Sequence, residues 1–269
     1  MNKIFVAEKQ NRSSSDNGVY VAIVQKAVEN YDVFENFKRH PDYQMVLEHV
    51  GQEDGMEYLN IIKNQSPEFL DVIDKFKNND LIGNPVTCSY PETGQISPTT
   101  LRYIKVASDL KKYFGLNIGE RIAEVGVGYG GQLLINDQIF SVNECHLFDL
   151  PPVLDLVSKY LESFILNCSY KVITINQCSG NFPYDLVISN YAFSELPSHL
   201  QRTYIKKVMS RSSKGYLTMN TGLEGHATEL NHLKLDELRT LLPPFEVIAE
   251  NPITSPNNYI IIWGHNSDA

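Results

Sequence analysis

Residues Arg121–Gln132 read RIAEVGVGYGGQ. Ile122, Ala123, Glu124 and Val125 form a short apolar run with one carboxylate. Gly126, Gly128, Gly130 and Gly131 then break it, and Leu133, Leu134 and Ile135 carry the chain on. The pattern predicts a buried strand, a glycine turn and the start of a helix. Glycine lets a polar ligand approach backbone that a side chain would shield. The helix start beside it offers N–H groups with no partner inside the helix.

Two ligand classes use such a turn, and glycine triplets also occur in plain tight turns. Gly126-x-Gly128-x-x-Gly131 fits the dinucleotide fingerprint, which seats a pyrophosphate on the helix N-terminus. Glu124-x-Gly126-x-Gly128-x-Gly130 fits the first motif of S-adenosylmethionine-dependent methyltransferases. Glu124 discriminates between them. A carboxylate at that strand end repels a pyrophosphate and suits the cationic amino-acid end of S-adenosylmethionine.

Working outward, residues 121–269 alternate strand and helix signals. Strands are expected at 121–126, 144–149, 171–175, 184–190, 214–220, 245–250 and 258–263. Helices are expected at 130–139, 152–164, 196–211 and 233–242. Alternation predicts a parallel α/β sheet with right-handed crossovers. Only NPITSPN joins the last two strands, too short for a parallel crossover, so they must form an antiparallel hairpin. The expected fold is a Rossmann-like methyltransferase sheet, seven-stranded and mostly parallel, with that C-terminal hairpin.

Upstream, residues 1–82 form a helical N-terminal appendage. It starts with Ile4, Phe5 and Val6 and a polar loop, NRSSSDNG. Residues 18–80 read as helical throughout, with Val24, Ala27, Val28, Tyr31 and Phe34 on one face. His40-Pro41 ends one helix, Tyr43–Val50 restarts it, and Ser66 is a capping serine before Pro67. Three roles are open to the appendage: covering the active site, binding the acceptor, or making a homodimer contact. Residues 83–120 are a linker plus a cofactor-flanking helix, Thr99–Phe114, that Ser97-Pro98 begins.

Composition narrows the function. The chain has 269 residues, 42% hydrophobic, with a formal net charge of −9 and a pI near 5.3. Without a basic footprint, nucleic acid is not the expected substrate; neutral small molecules and sugars are open. No apolar run approaches the ~18 residues of a membrane helix, and residues 1–17 show no secretory pattern. Cys88, Cys145, Cys168 and Cys178 lack C-x-x-C spacing and read as reduced thiols of a cytoplasmic protein.

Several residues carry candidate chemistry. Asp149, in FDLP about twenty residues past the glycine turn, is placed to accept hydrogen bonds from ribose hydroxyls; the alternative is a helix N-cap. Leu150 follows it beside the cofactor. Asn176 and Gln177 sit where such folds contact adenine, or form an ordinary loop. Ser189 and Asn190 end the fourth strand and are expected against the cofactor, with Tyr191 against the acceptor. Glu195 is a candidate general base, or an acid favoured by a helix N-terminus. His226, in a glycine-flanked loop, is the other candidate base, against a surface role; His232 is less well placed. Two such ligands are too few for a metal site. Asn258 and Tyr259 border the acceptor pocket or are turn chemistry.

Taken together, EVGVGYGGQ, FDLP, YDLVISNYAFSEL, GYLTMNTG and TSPNNYIIIWG resemble the sugar O-methyltransferase family, a branch of the Rossmann-like methyltransferases, over about residues 83–264. The resemblance implies S-adenosylmethionine as cofactor and methyl transfer to a sugar hydroxyl on a glycan, nucleotide sugar or glycosylated small molecule, as in polysaccharide biosynthesis. It carries cofactor roles onto Glu124, Gly126, Gly128, Gly130 and Asp149. Related small-molecule methyltransferases have a histidine just after the fourth strand. Here Phe193, Ser194 and Glu195 stand there, so no base is carried over. Two alternatives remain: an NAD(P)-dependent oxidoreductase, and a catalytically inactive cofactor-binding member of the fold.

Overall fold

A computed structural model describes residues 18–223 and 231–265. The chain opens with α1 (Val19–Glu29), α2 (Tyr31–Phe34), α3 (Pro41–Gln44), α4 (Gln52–Gln65) and α5 (Ile73–Phe76), linked by 3-10 turns. The expected helix at Tyr43–Val50 is only the single turn of α3, followed by turns that reach toward the sheet. Ser66 makes no side-chain cap. Its hydroxyl is buried and accepts instead from Ser108 at 2.9 Å.

The expected linker contains a small hairpin, β1 (Cys88–Tyr90) and β2 (Gly94–Ile96). The helix α6 (Pro98–Phe114) follows, capped as expected by Ser97, whose hydroxyl accepts from Thr100 N. Then come β3 (Arg121–Val125), α7 (Gly131–Asn136), β4 (Glu144–Phe148), α8 (Pro151–Leu161), β5 (Ser169–Ile173), β6 (Tyr184–Asn190), α9 (Ser198–Lys207), β7 (Ser212–Met219), α10 (Leu235–Leu241), β8 (Glu246–Ala249) and β9 (Tyr259–Trp263). Strand β5 starts two residues before its expected place, because its register is fixed by pairing with β4 from Ser169 opposite Glu144.

The main sheet has the order β5-β4-β3-β6-β7-β9-β8. The first five strands run parallel, and β9 alone is reversed, between β7 and β8. That insertion of a terminal hairpin into a doubly wound sheet is the Rossmann-like methyltransferase fold. Apolar clusters cover both faces. This explains the near-continuous apolar runs of β3, β6 and β9, as for strands buried on both sides. Trp263 packs over Gly215, where any Cβ would approach the indole to 2.1 Å.

The N-terminal helices share one apolar cluster with the sheet. Lys159 of α8 donates to the last carbonyls of α1, Ala27 O at 3.0 Å and Val28 O at 2.8 Å, a favourable cation at a helix C-terminus. Lys38 is fully buried, with its ammonium 4.0 Å from the Tyr129 ring centre. Burial lowers its pKa from 10.5 to about 8. Asn79 donates to the Tyr129 hydroxyl at 3.0 Å. Tyr129 belongs to the glycine turn, so these contacts tie the appendage directly to the motif. Among the described residues no helix is long and apolar enough to cross a membrane.

Candidate active site

Parallel strands present their carboxyl ends on one edge of the sheet, and a cleft of about 760 Å³ opens there. Its floor is the glycine turn. Gly126, at φ 76°, and Gly128, at φ 58°, adopt the left-handed backbone that a side chain would strain. Both line the cleft. Gly130 does not: it caps α7 at φ 92° and faces Leu161. It shapes the turn rather than bordering a ligand.

Two carboxyls flank this floor. Glu124, 3% exposed, lines the cleft. Among the described residues no hydrogen bond or ion pair reaches its carboxyl. Burial, and then the charge of Asp149, raise its pKa from 4.5 to about 8. Asp149 lies past the end of the neighbouring strand β4. It accepts from Leu150 N at 2.7 Å and Gly128 N at 3.3 Å. It is not the helix cap, because Leu150 holds that position. Burial raises its pKa to about 6, against the opposing pull of these backbone donors. A buried and a half-buried carboxyl beside one turn make a site for a cation and a poor one for a pyrophosphate.

Leu150 and Asn176 also line the cleft, as expected, and so do Asn190, Tyr191, Glu195 and Asn258. Tyr191 follows the last residue of β6 at φ 64°, a strained value for a bulky residue. Its hydroxyl donates to Glu250 and lies 3.2 Å from the Thr254 hydroxyl. Glu195 accepts from Asn220 Nδ2 at 2.9 Å. Asn258 donates to the Thr254 hydroxyl at 3.0 Å.

Three expected site residues turn away. The Ser189 hydroxyl is fully buried, donating to Val125 O at 2.8 Å and accepting from Phe193 N. Gln177 folds back onto Thr174, accepting from its N and its hydroxyl. The Tyr259 hydroxyl is buried and donates to Thr221 O at 2.8 Å. Each satisfies a local polar group, a stronger pull than an open cleft exerts. His226 lies outside the described residues. His232 meets Leu196 O at 3.0 Å and does not line the cleft.

The remaining wall comes from upstream. Tyr20, Leu47, His49, Asp54 and Tyr58 of the appendage, with Arg102 and Tyr103 of α6, line the cleft. Leu47 sits directly over the turn, where a Cβ at Gly128 would come within 2.9 Å of it. The appendage therefore forms part of the cleft wall, which is compatible with covering the site and with binding the acceptor. Sequence reasoning missed these residues. Arg102 alone left a local signal, as the one cation in the apolar tract Leu101–Ile104. His49 lies at the cleft wall. Loss of solvent there, and then the charge of Arg102, hold its pKa below the ordinary 6.5.

The cleft suits a nucleoside-sized ligand in volume. The unpartnered Glu124 carboxyl and the adjacent Asp149 fit S-adenosylmethionine, which carries an ammonium, a sulfonium and a ribose. Among the described residues no group of three or more His, Cys, Asp or Glu is placed to hold a metal ion.

No known family model matches the chain. No curated protein matches it either. Among solved structures it is similar to the mitomycin 7-O-methyltransferase MmcR, at 12% identity and a TM-score of 0.44, covering 60% of this chain and 56% of that one. It is similar to human N-acetylserotonin methyltransferase in complex with SAM, at 11% identity and a TM-score of 0.42, covering 60% and 54%. It is also similar to magnesium protoporphyrin IX methyltransferase from Synechocystis PCC 6803 with bound SAH, at 12% identity and a TM-score of 0.44, covering 76% and 97%. The aligned part spans little more than half the length of the first two. The fold rests on the strand order itself.

Proposed function

We propose that this chain is an S-adenosylmethionine-dependent O-methyltransferase acting on a sugar hydroxyl. One observation carries the reading. Two carboxyls at the ends of adjacent strands, the buried Glu124 and the half-buried Asp149, flank a left-handed glycine turn at the floor of a single cleft. Asp149 would receive the ribose hydroxyls, Glu124 the amino-acid end, and Asn176 the adenine side. Bound there, the cofactor supplies a methyl group on a sulfonium. The chain supplies alignment of the acceptor oxygen, a contribution of proximity and orientation. Glu195 or His49 takes the hydroxyl proton.

The sugar acceptor is supported by the motif resemblance over residues 83–264 and by the lining of the other half of the cleft. Tyr58, Asn190, Tyr191, Asn220, Thr254 and Asn258 bring hydroxyls and amides to its wall. Incubation with methyl-labelled S-adenosylmethionine and a panel of sugars, nucleotide sugars and glycosides tests it. Label in an acid-stable, base-stable ether of a sugar supports the reading. Label only on nitrogen, sulfur or carboxylate oxygen, or none on any acceptor, refutes it.

A further inference from the structure

Resting on that reading, we infer that the acceptor carries an oxyanion, a carboxylate or phosphate, held by the guanidinium of Arg102. Arg102 projects from α6 into the wall of the cleft. A guanidinium has five N–H donors in a fixed fork. Among the described residues one hydrogen bond uses them, from Nη2 to Leu47 O at 3.2 Å. No carboxylate lies within ion-pair distance of Arg102 among the described residues. Its Cζ is 5.6 Å from the centre of the Tyr103 ring.

The acids on that side already have donors of their own. Asp54 accepts from Gly51 N at 3.0 Å. Glu195 accepts from Asn220. Glu250 accepts from the Tyr191 hydroxyl and from Thr254 N and Oγ1, at 3.0 and 2.8 Å for the latter two. Glu48 acts on Arg102 through space without a contact. A part-buried cation with no carboxylate in contact is costly, and an anion that docks against it lowers that cost. Its planar fork suits carboxylate and phosphate alike.

Position assigns this anion to the acceptor rather than to the cofactor's own carboxylate. Arg102 also lines a second, water-sized pocket of about 20 Å³, together with Asn190, Tyr191 and Thr218. Those residues end β6 and β7. Glu124, assigned above to the cofactor's amino-acid end, lies one strand away, on β3, and Thr218 of β7 lies a further strand beyond β6 in the order β3-β6-β7, a separation of about 10 Å between β3 and β7. The charge of Arg102 bears on Tyr58, Tyr103, Tyr191 and His49, and is not among the influences on Glu124 or Asp149.

Calorimetry on protein saturated with S-adenosylhomocysteine provides the test, with glucuronate, glucose 1-phosphate and glucose as probes. The expected result is at least tenfold tighter binding of one anionic sugar than of glucose. Glucuronate and glucose 1-phosphate distinguish carboxylate from phosphate. Arg102→Met should abolish the preference and leave S-adenosylhomocysteine affinity within threefold of wild type. Arg102→Lys, which keeps the charge and loses the fork, should reduce the preference severalfold, and serves if the methionine variant does not fold. Equal or undetectable binding of all three probes overturns the inference. So does a preference that survives in both variants. A tenfold loss of S-adenosylhomocysteine affinity in a folded variant also overturns it, because the guanidinium would then hold the cofactor's carboxylate. Wild-type protein that binds no S-adenosylhomocysteine instead refutes the cofactor reading on which the inference rests.

Discussion

Replacing Glu124 by Gln should change how stability depends on pH. The carboxyl is 3% exposed, and burial with the charge of Asp149 places its folded pKa at about 8 against an ordinary 4.5. An acid with a raised folded pKa holds its proton more tightly when folded. Its contribution to stability is therefore fully present below about pH 4.5 and lost as pH rises through 8. The span from 4.5 to 8, at about 1.4 kcal/mol per pH unit, amounts to roughly 5 kcal/mol. Relaxation around a charged Glu124 would trim this, so ~2–5 kcal/mol is the expected range. Glutamine keeps the shape and cannot ionise. Urea unfolding of ligand-free protein between pH 5 and 9 measures the effect. Wild type should lose stability relative to Glu124→Gln across that interval, and the variant should be the more stable at pH 9. Saturating S-adenosylmethionine should close the gap, because its cationic end favours the ionised carboxylate. Parallel pH profiles for the two ligand-free proteins would refute the reasoning.

Three further outcomes follow from the same geometry. Asp149→Asn should weaken S-adenosylmethionine and S-adenosylhomocysteine alike by roughly 10–100-fold, the loss of one or two charge-assisted hydrogen bonds, with little change in Tm; unchanged affinity by calorimetry would remove the ribose assignment. Gly126→Ala should cost roughly 3 kcal/mol or more in denaturant unfolding, since its Cβ would fall 1.9 Å from that of Ala192 at φ 76°. Gly94→Ala, at φ 68° with nothing within 4 Å, should cost only the ~1–2 kcal/mol of the left-handed backbone, and equal costs would mean the turn is not held against Ala192. Glu195→Gln and His49→Gln, assayed for methyl transfer across pH, should separate the base from the bystander: the base variant loses about 10²–10⁴-fold in kcat and the associated pH limb, whereas full turnover in both would exclude both.

The strand, the turn and the terminal hairpin were legible because each is local. Val125 to Gly131 states its own backbone geometry, and NPITSPN is too short to allow anything but an antiparallel return. The insertion of β9 between β7 and β8 leaves no trace in local pattern and was not foreseen. The strands Cys88–Tyr90 and Gly94–Ile96 were hidden in a linker, since three residues on either side of the turn 91–93 are too few to show a periodicity. The glycine-turn side of the cleft was readable because Glu124 and Asp149 sit at fixed offsets from the turn. The opposite wall was not, because His49, Asp54, Tyr58 and Arg102 reach it only through packing across the chain. Ser189, Gln177 and Tyr259 looked available at strand ends, yet each hydrogen-bonds a neighbouring polar group instead.

The central claim is that Glu124, Asp149 and the glycine turn form a site for the adenosyl cofactor. Titration calorimetry of the purified chain with S-adenosylmethionine, S-adenosylhomocysteine and NADH, each separately, tests it most directly. The account predicts binding of both adenosyl ligands at a 1:1 ratio and none of NADH. Binding of NADH alone would contradict it, and would mean that the buried carboxyl at Glu124 tolerates a pyrophosphate after all.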